Sequence, residues 1–321
     1  MQLKAPFIQL PVLFDAGKLL AEVEALGPSG WRDHPQKYPG NFALPLISVD
    51  GSSEGDGVAG PMRPTEYLER CPYLMQVLEK LGAVWGRSRL MKLGGHAEVT
   101  PHVDVNYYWR ERVRVHVPLI TTPDVRFICG DSEVNMQEGE CWIFDTWRMH
   151  RVINGTGRER IHLVADTVGS EPFWNLVDKG RIPMQAGSQE DWHAQTFHGT
   201  AERAPRLDYE TNNFPDVMTP WEVRETLQFI LHETPPHERL EAIRTIALRF
   251  INHWHALWTQ HGAEQAAWPL YREALNVFEQ AIAAPAAPLV LINGMPFMGA
   301  VNGLLLWPAL GDRRPGSYAK K

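Results

Sequence analysis

The stretch GECWIFDTWRMHRVINGTGRERIHL, residues 139–163, decides how this chain is to be read. A tight Gly139-Glu140 turn feeds an apolar run from Cys141 to Asp145, the pattern of a buried strand. After a short bend His150 opens another strand, and turn residues then lead into R-I-H-L-V-A-D, which alternates with period two from Arg160 onward.

Outward from this stretch, the same texture fills residues 86–169. Short β-branched and aromatic runs at 88–93, 113–119, 125–129, 141–145 and 160–168 are separated by turn residues, as in an all-β sandwich or barrel. From residue 219 the period changes. Thr219-Pro220 has the form of an N-cap followed by proline at the first helical position. Leu240, Ile243, Ala247, Phe250, Ile251, Trp254 and Trp258 then recur at helical spacing, and a second helix is expected over 264–284. Residues 195–217 are polar and turn-rich and read as a connection. Before residue 86, FDAGKLLAEVEAL and CPYLMQVLEKLG read as helices and NFALPLISVDG as a strand with a turn. The expected organisation is an all-β domain with N-terminal helices over 1–194, a connection over 195–218 and a helical region over 219–321.

Composition narrows the function. With 44% hydrophobic and 21% charged residues in 321, the chain has enough apolar material for a full core. The formal net charge is −7 and Lys and Arg form no dense stripe, which argues against nucleic acid. Cys71, Cys129 and Cys141 match neither a zinc knuckle nor a disulfide framework, so reduced thiols in a cytoplasmic protein are expected. The N-terminal residues lack the pattern of a signal peptide. The greasy stretch LVLINGMPFMGAVNGLLLWPAL is interrupted by prolines and glycines and reads as buried core rather than a membrane span.

The polar residues inside the β region carry the chemistry. In TPHVDVNYYWRERVRVHVPL, residues 100–119, His102 and Asp104 stand at i and i+2, so on an extended chain they point the same way. His150 supplies a second imidazole from a separate strand. Two histidines and one carboxylate form the facial set that holds Fe(II) and leaves the opposite positions open, which suits oxygen chemistry. Arg160 heads the next strand, and its planar fork would grip a carboxylate; 2-oxoglutarate would supply one, the alternative being an ion pair with Asp166 or Glu140. Arg114 and His116 form a further i, i+2 pair, opposite Val113, Val115 and Val117. His162 shares the face of Arg160 and reads equally as packing. Trp147 and Arg148 in the bend, and Asn106 after the ligand strand, are candidate substrate contacts. Residues 106–110 form either part of a lid or a solvated loop, and Asp145 is a brace for a strand or for a ligand histidine.

Taken in order, LMKLGGHAEVTPHVD, RVHVPL and the GECWIFD…H…N…R block resemble the aspartyl/asparaginyl β-hydroxylase family of Fe(II)- and 2-oxoglutarate-dependent dioxygenases, over about residues 88–167. The resemblance implies a double-stranded β-helix, or jelly roll, with helices. It places the iron ligands on His102 and His150 and the 2-oxoglutarate arginine on Arg160. It also places the co-substrate-contacting R-x-H pair on Arg114 and His116. Asp104 makes the chain similar to members with a full triad, and the layout, with its helical C-terminal region, is similar to bacterial proline 3-hydroxylases.

The resulting expectation is an enzyme using Fe(II), 2-oxoglutarate and O2 to hydroxylate an amino acid, peptide or related small metabolite, with succinate and CO2 as co-products. A protein or lipid hydroxylase is the first alternative, and a non-oxidative cupin-like metal-binding protein or isomerase the second. No membrane or nucleic-acid partner is expected, and the C-terminal helices offer a route to a homodimer.

Overall fold

The computed structural model describes residues 1–35, 38–183, 192–199 and 205–311. Two compact units emerge among the described residues, one of residues 1–102 with 111–213, the other of residues 103–110 with 214–311.

Eight strands make the core of the first unit: β1 (Val84–Leu93), β2 (Glu98–His102), β3 (Val113–Ile120), β4 (Val125–Cys129), β5 (Ser132–Val134), β6 (Glu140–Phe144), β7 (His150–Asn154) and β8 (Arg160–Gly169). They divide between two antiparallel sheets. The larger contains the order β6-β3-β8-β1, and the smaller is β2-β7-β4-β5. The chain therefore crosses between sheets at almost every step, the winding of a double-stranded β-helix, so the expected jelly roll is the fold observed. Strand Phe7–Phe14 extends the larger sheet beyond β6, and Asn41–Val49 extends it beyond β1.

Alternation along the strands builds the interior. Phe7, Leu93, Trp142 and Phe144 of the larger sheet form one buried cluster with Val125, Phe127, Cys129 and Val152 of the smaller. Gly139 sets the turn into β6 at φ +77°, where a Cβ would lie 2.1 Å from the Phe14 carbonyl oxygen. Only glycine fits there. The three cysteines are buried free thiols.

Some expectations need adjusting. β2 and β5 did not stand out as strands, β1 starts earlier than expected, and Asp145 falls just past the end of β6. The connection contains two short strands, Gln195–Phe197 parallel to Phe7–Phe14 and Asp208–Tyr209 parallel to β1. Two or three residues carry no readable period, so pairing rather than propensity makes them strands. Residues 200–204 of the connection and those beyond 311 lie outside the described residues.

In the second unit α1 (Pro220–His232), α2 (Leu240–His261) and α3 (Trp268–Ala286) pack in sequence. Thr219 caps α1 in a full capping box with Glu222. α3 begins later than expected, after a 3-10 turn at Gln265–Ala267. The greasy C-terminal stretch becomes a short helix, Phe297–Val301, and a π-helical turn, Asn302–Leu306, nearly all buried. Among the described residues no helix is long and apolar enough to cross a membrane. Residues 103–110 are firmly held within this unit. Tyr107–Arg110 is a helical turn, with the Tyr107 hydroxyl donating to Glu222 Oε1 at 2.8 Å and Tyr108 stacked on Phe214. Tyr108 and Trp109 are buried, so this segment is anchored rather than a solvated loop.

Candidate metal centre and co-substrate site

His102 ends β2, His150 begins β7, and the two are direct partners across the strand pair. Asp104 follows two residues after His102. One ligand atom from each of the three lies within 4.8 Å of the others, close enough to share an ion. Each imidazole is oriented by its own backbone. His102 Nδ1 lies 2.8 Å from the Thr100 carbonyl and His150 Nδ1 lies 2.9 Å from the Arg148 carbonyl. A carbonyl can only accept, so Nδ1 carries the proton and Nε2 keeps its lone pair for a metal.

Asp145 holds the bend that delivers His150. Its carboxylate accepts from the Trp147 amide at 3.0 Å, the Arg148 Nε at 3.1 Å and the Leu3 amide at 3.1 Å. Arg148, whose carbonyl meets His150, is thus fixed from both its backbone and its side chain. Trp147 is buried, while the Arg148 side chain is exposed and paired to Asp145. Asn106 uses its side chain to accept from the Tyr108 amide at 2.8 Å.

A chain of ring contacts runs from the metal ligands to Arg160. The Phe144 ring lies 4.9 Å from that of His150 and 5.4 Å from that of His116, and His116 lies 5.8 Å from His162. His162 Nδ1 in turn meets Arg160 Nη2 at 2.7 Å, so the nitrogen accepts from the guanidinium. His162, ambiguous in the sequence, is therefore the residue that orients Arg160. Its i, i+2 spacing on an alternating strand was the available signal.

This corner is buried and polar, with polar atoms left over. Arg160 is 4% exposed, yet among the described residues its Nε has no hydrogen-bond partner; neither do His116 Nδ1 and Nε2 or His162 Nε2. Burial pushes Arg160 down to about 9, which still leaves it charged at neutral pH. Burial, then the charge of Arg160, holds His116 and His162 neutral, well below their ordinary value. Unsatisfied buried groups cost free energy, and a carboxylate bound here would satisfy several at once. Two oriented imidazoles with a carboxylate suit a ferrous ion, and a lone buried guanidinium suits a dicarboxylate co-substrate. The residues fit both groups.

Arg114 sits elsewhere on the same face. It pairs directly with Asp166 of β8, Nε to Oδ1 at 2.9 Å, six residues along the strand from Arg160. Asp166, one of the two ion-pair partners considered for Arg160, is thus engaged by Arg114.

A jelly roll with a two-histidine, one-carboxylate centre on its smaller sheet and a buried basic corner on its larger one is the class of protein that fold and site define. Residues 54–169 match the family model described as aspartyl/asparaginyl beta-hydroxylase. That stretch takes in all eight core strands, β1 to β8, and over it the chain is similar to that hydroxylase family. Among solved structures, the chain is similar to a Pseudomonas putida prolyl-4-hydroxylase at 15% identity, covering 51% of this chain and 92% of that one, TM-score 0.35. It is also similar to an oxidoreductase of the 2OG-Fe(II) oxygenase family from Burkholderia pseudomallei (16%, 52% and 87%, TM-score 0.37). A Trichoplax adhaerens prolyl hydroxylase in complex with a hypoxia inducible factor peptide fragment is similar at 13% identity, covering 54% and 87%, TM-score 0.38. No curated protein sequence matches the chain.

Proposed function

We propose that this protein is an Fe(II)- and 2-oxoglutarate-dependent dioxygenase that hydroxylates an unactivated C–H bond of an amino acid, a peptide or a related small metabolite. The observation that supports it best is the unsatisfied buried corner of Arg160, His116 and His162, joined by ring contacts to the His102–Asp104–His150 cluster. When bound, iron and 2-oxoglutarate supply the oxidising chemistry, O2 being consumed, succinate and CO2 released, and a hydroxyl placed on the substrate.

The chain's own residues hold and orient. His102, Asp104 and His150 would take the ion, the Nε2 atoms of the two histidines aimed by the carbonyls of Thr100 and Arg148. Arg160, steered by His162, would take the far carboxylate of the co-substrate, with His116 as a neutral donor beside it. Phe127 and Phe144 crowd His150 and keep water from that side of the centre. Trp147, Arg148 and Asn106 remain the proposed substrate contacts.

The test is calorimetric titration of 2-oxoglutarate into protein loaded with Fe(II) under anaerobic conditions. Arg160→Met should weaken 2-oxoglutarate by about 2–5 kcal/mol, at least roughly 30-fold, and leave iron affinity alone. Unchanged co-substrate affinity would remove the oxygenase reading and leave a non-oxidative metal protein.

A further inference from the structure

The two imidazoles of the metal cluster are set by strand pairing, since His102 and His150 are partners across β2 and β7. Asp104 is set by other means. It lies past the end of β2, in the segment 103–110 that packs with the helical unit. The Val105 amide donates to the Val103 carbonyl at 3.0 Å, which closes a three-residue turn with Asp104 at its apex. Farther along, the segment is pinned by the Tyr107 hydroxyl on Glu222 and by Arg110, whose guanidinium lies 4.1 Å from the Phe229 ring centroid.

Between those two fixed points the Val105 carbonyl rests on Gly303. A Cβ at position 303 would lie 2.7 Å from the Val105 oxygen and 3.5 Å from Val105 Cγ1. Backbone cannot swing aside as the end of a flexible side chain can, so only glycine accepts this approach. Gly303 belongs to the π-helical turn Asn302–Leu306, in which the Trp307 amide reaches back to the Asn302 carbonyl. Glycine is a poorer helix former than alanine, and a π turn departs from the regular ladder and is frequent at functional sites. Asn302 Oδ1 is buried in the same turn with no hydrogen-bond partner among the described residues. The turn thus carries three penalties, and what it provides is a flat seat for the residue next to Asp104.

We propose that Gly303 is a positioning residue for the metal centre: the Val105 carbonyl seated on it holds the Asp104 turn where its carboxylate joins His102 and His150. This rests on the metal-centre part of the reading above and deepens it. A methyl group at position 303 displaces Val105 and carries the Asp104 carboxylate away from a shared ion, while the two histidines keep their strand pairing. The coupling is reciprocal, so an ion that takes Asp104 as a ligand also steadies the turn at 302–307. Gly299 supplies a matched control, four residues earlier, where the nearest atom to a Cβ is the flexible Met295 Cε at 3.4 Å.

The experiment titrates Co(II) alone into the metal-free full chain and follows its visible absorption. Gly303→Ala should weaken Co(II) by roughly 10–100-fold, the loss expected when the support of a ligand is removed, and Gly299→Ala should stay within about twofold. Asp104→Ala weakens binding by itself, and adding Gly303→Ala to it should change affinity by no more than about twofold, because the carboxylate that the seat positions is already gone. A glycine that served packing alone would give the same loss with or without Asp104. Hydrogen exchange needs no variant at 303: Co(II) should slow amide exchange over 302–307 in wild type and leave it unchanged in Asp104→Ala. Gly303→Ala that binds Co(II) as Gly299→Ala does, a loss that persists in the Asp104→Ala background, or exchange over 302–307 that is indifferent to Co(II) in wild type would each overturn the assignment. If Gly303→Ala does not fold, the exchange measurement decides alone. Wild type that takes up no Co(II) defeats the metal-centre reading itself, and the role of Gly303 with it.

Discussion

The buried face of α2 and the interior of the jelly roll are built on opposite rules. In the helical unit the buried positions of α2 are Leu240, Ile243, Ala247, Phe250, Ile251, Trp254 and Leu257, without a charge among them. Inside the jelly roll, Arg87, Arg89, Arg160, His116, His162 and Asp166 are buried alongside the aliphatic core. An apolar interior needs no explanation beyond the hydrophobic effect. A cationic interior opposes it, and folding alone gives no reason to keep one. The difference separates residues that make the fold from residues kept for a ligand.

That contrast breaks most clearly at the metal ligands. His150→Ala should reduce Fe(II) or Co(II) affinity by more than about 100-fold, since loss of even a supporting partner costs 10–100-fold. The variant should remain folded by circular dichroism. If its metal affinity were intact, the cluster would be a set of core polar residues and the contrast would lose its meaning. The opposite behaviour is expected of Trp254. It is fully buried in the helical unit, with Nε1 donating to the Met218 carbonyl at 2.8 Å. Trp254→Ala should cost about 3–5 kcal/mol of stability, read by denaturant unfolding, and a loss below about 1 kcal/mol would mean that this interior is loosely packed.

What was legible in the sequence follows the same division. Periodicity marks apolar faces, so the strands around Val115, Phe127 and Ile143 and the helix through Phe250 could be read directly. Cap chemistry is local, and Thr219-Pro220-Trp221-Glu222 carried the start of α1 by itself. The grouping of His102, Asp104 and His150 was legible because His102 and Asp104 are two residues apart and His150 opens a strand. The partner of Arg114 was not, because Asp166 is 52 residues away and only the β3–β8 register brings them opposite. Arg87 and Arg89 belong to the same kind of case. Strand pairing near them shifts at a β-bulge, so simple alternation from Ser88 does not show where both guanidiniums point. That residues 106–110 are anchored was not legible, because the partners Phe214, Glu222 and Phe229 come more than a hundred residues later.

Acid sharpens the contrast, because among the described residues the jelly-roll interior holds the histidines that burial keeps well below their ordinary value. In the unfolded chain His116 and His162 titrate near 6.5. Folded, both stay neutral well below that. Between the two values the unfolded chain binds more protons, so stability rises with pH there and is lost as pH falls. Each histidine contributes a slope of about 1.4 kcal/mol per pH unit below roughly pH 6. Denaturant unfolding of metal-free protein at pH 7.5, 6.0 and 5.0 measures it, and His116→Gln should remove about half of the effect. A flat profile would show that these rings are not held neutral by burial.

The smallest effect tests the helical unit on its own terms, where polar groups serve local structure. Thr219 Oγ1 accepts from the Glu222 amide at 3.2 Å, and Glu222 Oε2 accepts from the Thr219 amide at 2.9 Å. Thr219→Ala removes one of these bonds and should cost about 1 kcal/mol, while Thr219→Ser should cost little. Glu222→Ala should cost more than Thr219→Ala, because Glu222 Oε1 also accepts from the Tyr107 hydroxyl. The double variant should fall short of the sum of the two, since both singles break the same capping box. Strict additivity would mean that the two reciprocal bonds do not form as a unit. The start of α1 would then rest on Pro220 and packing alone, as the apolar interior of that unit already does.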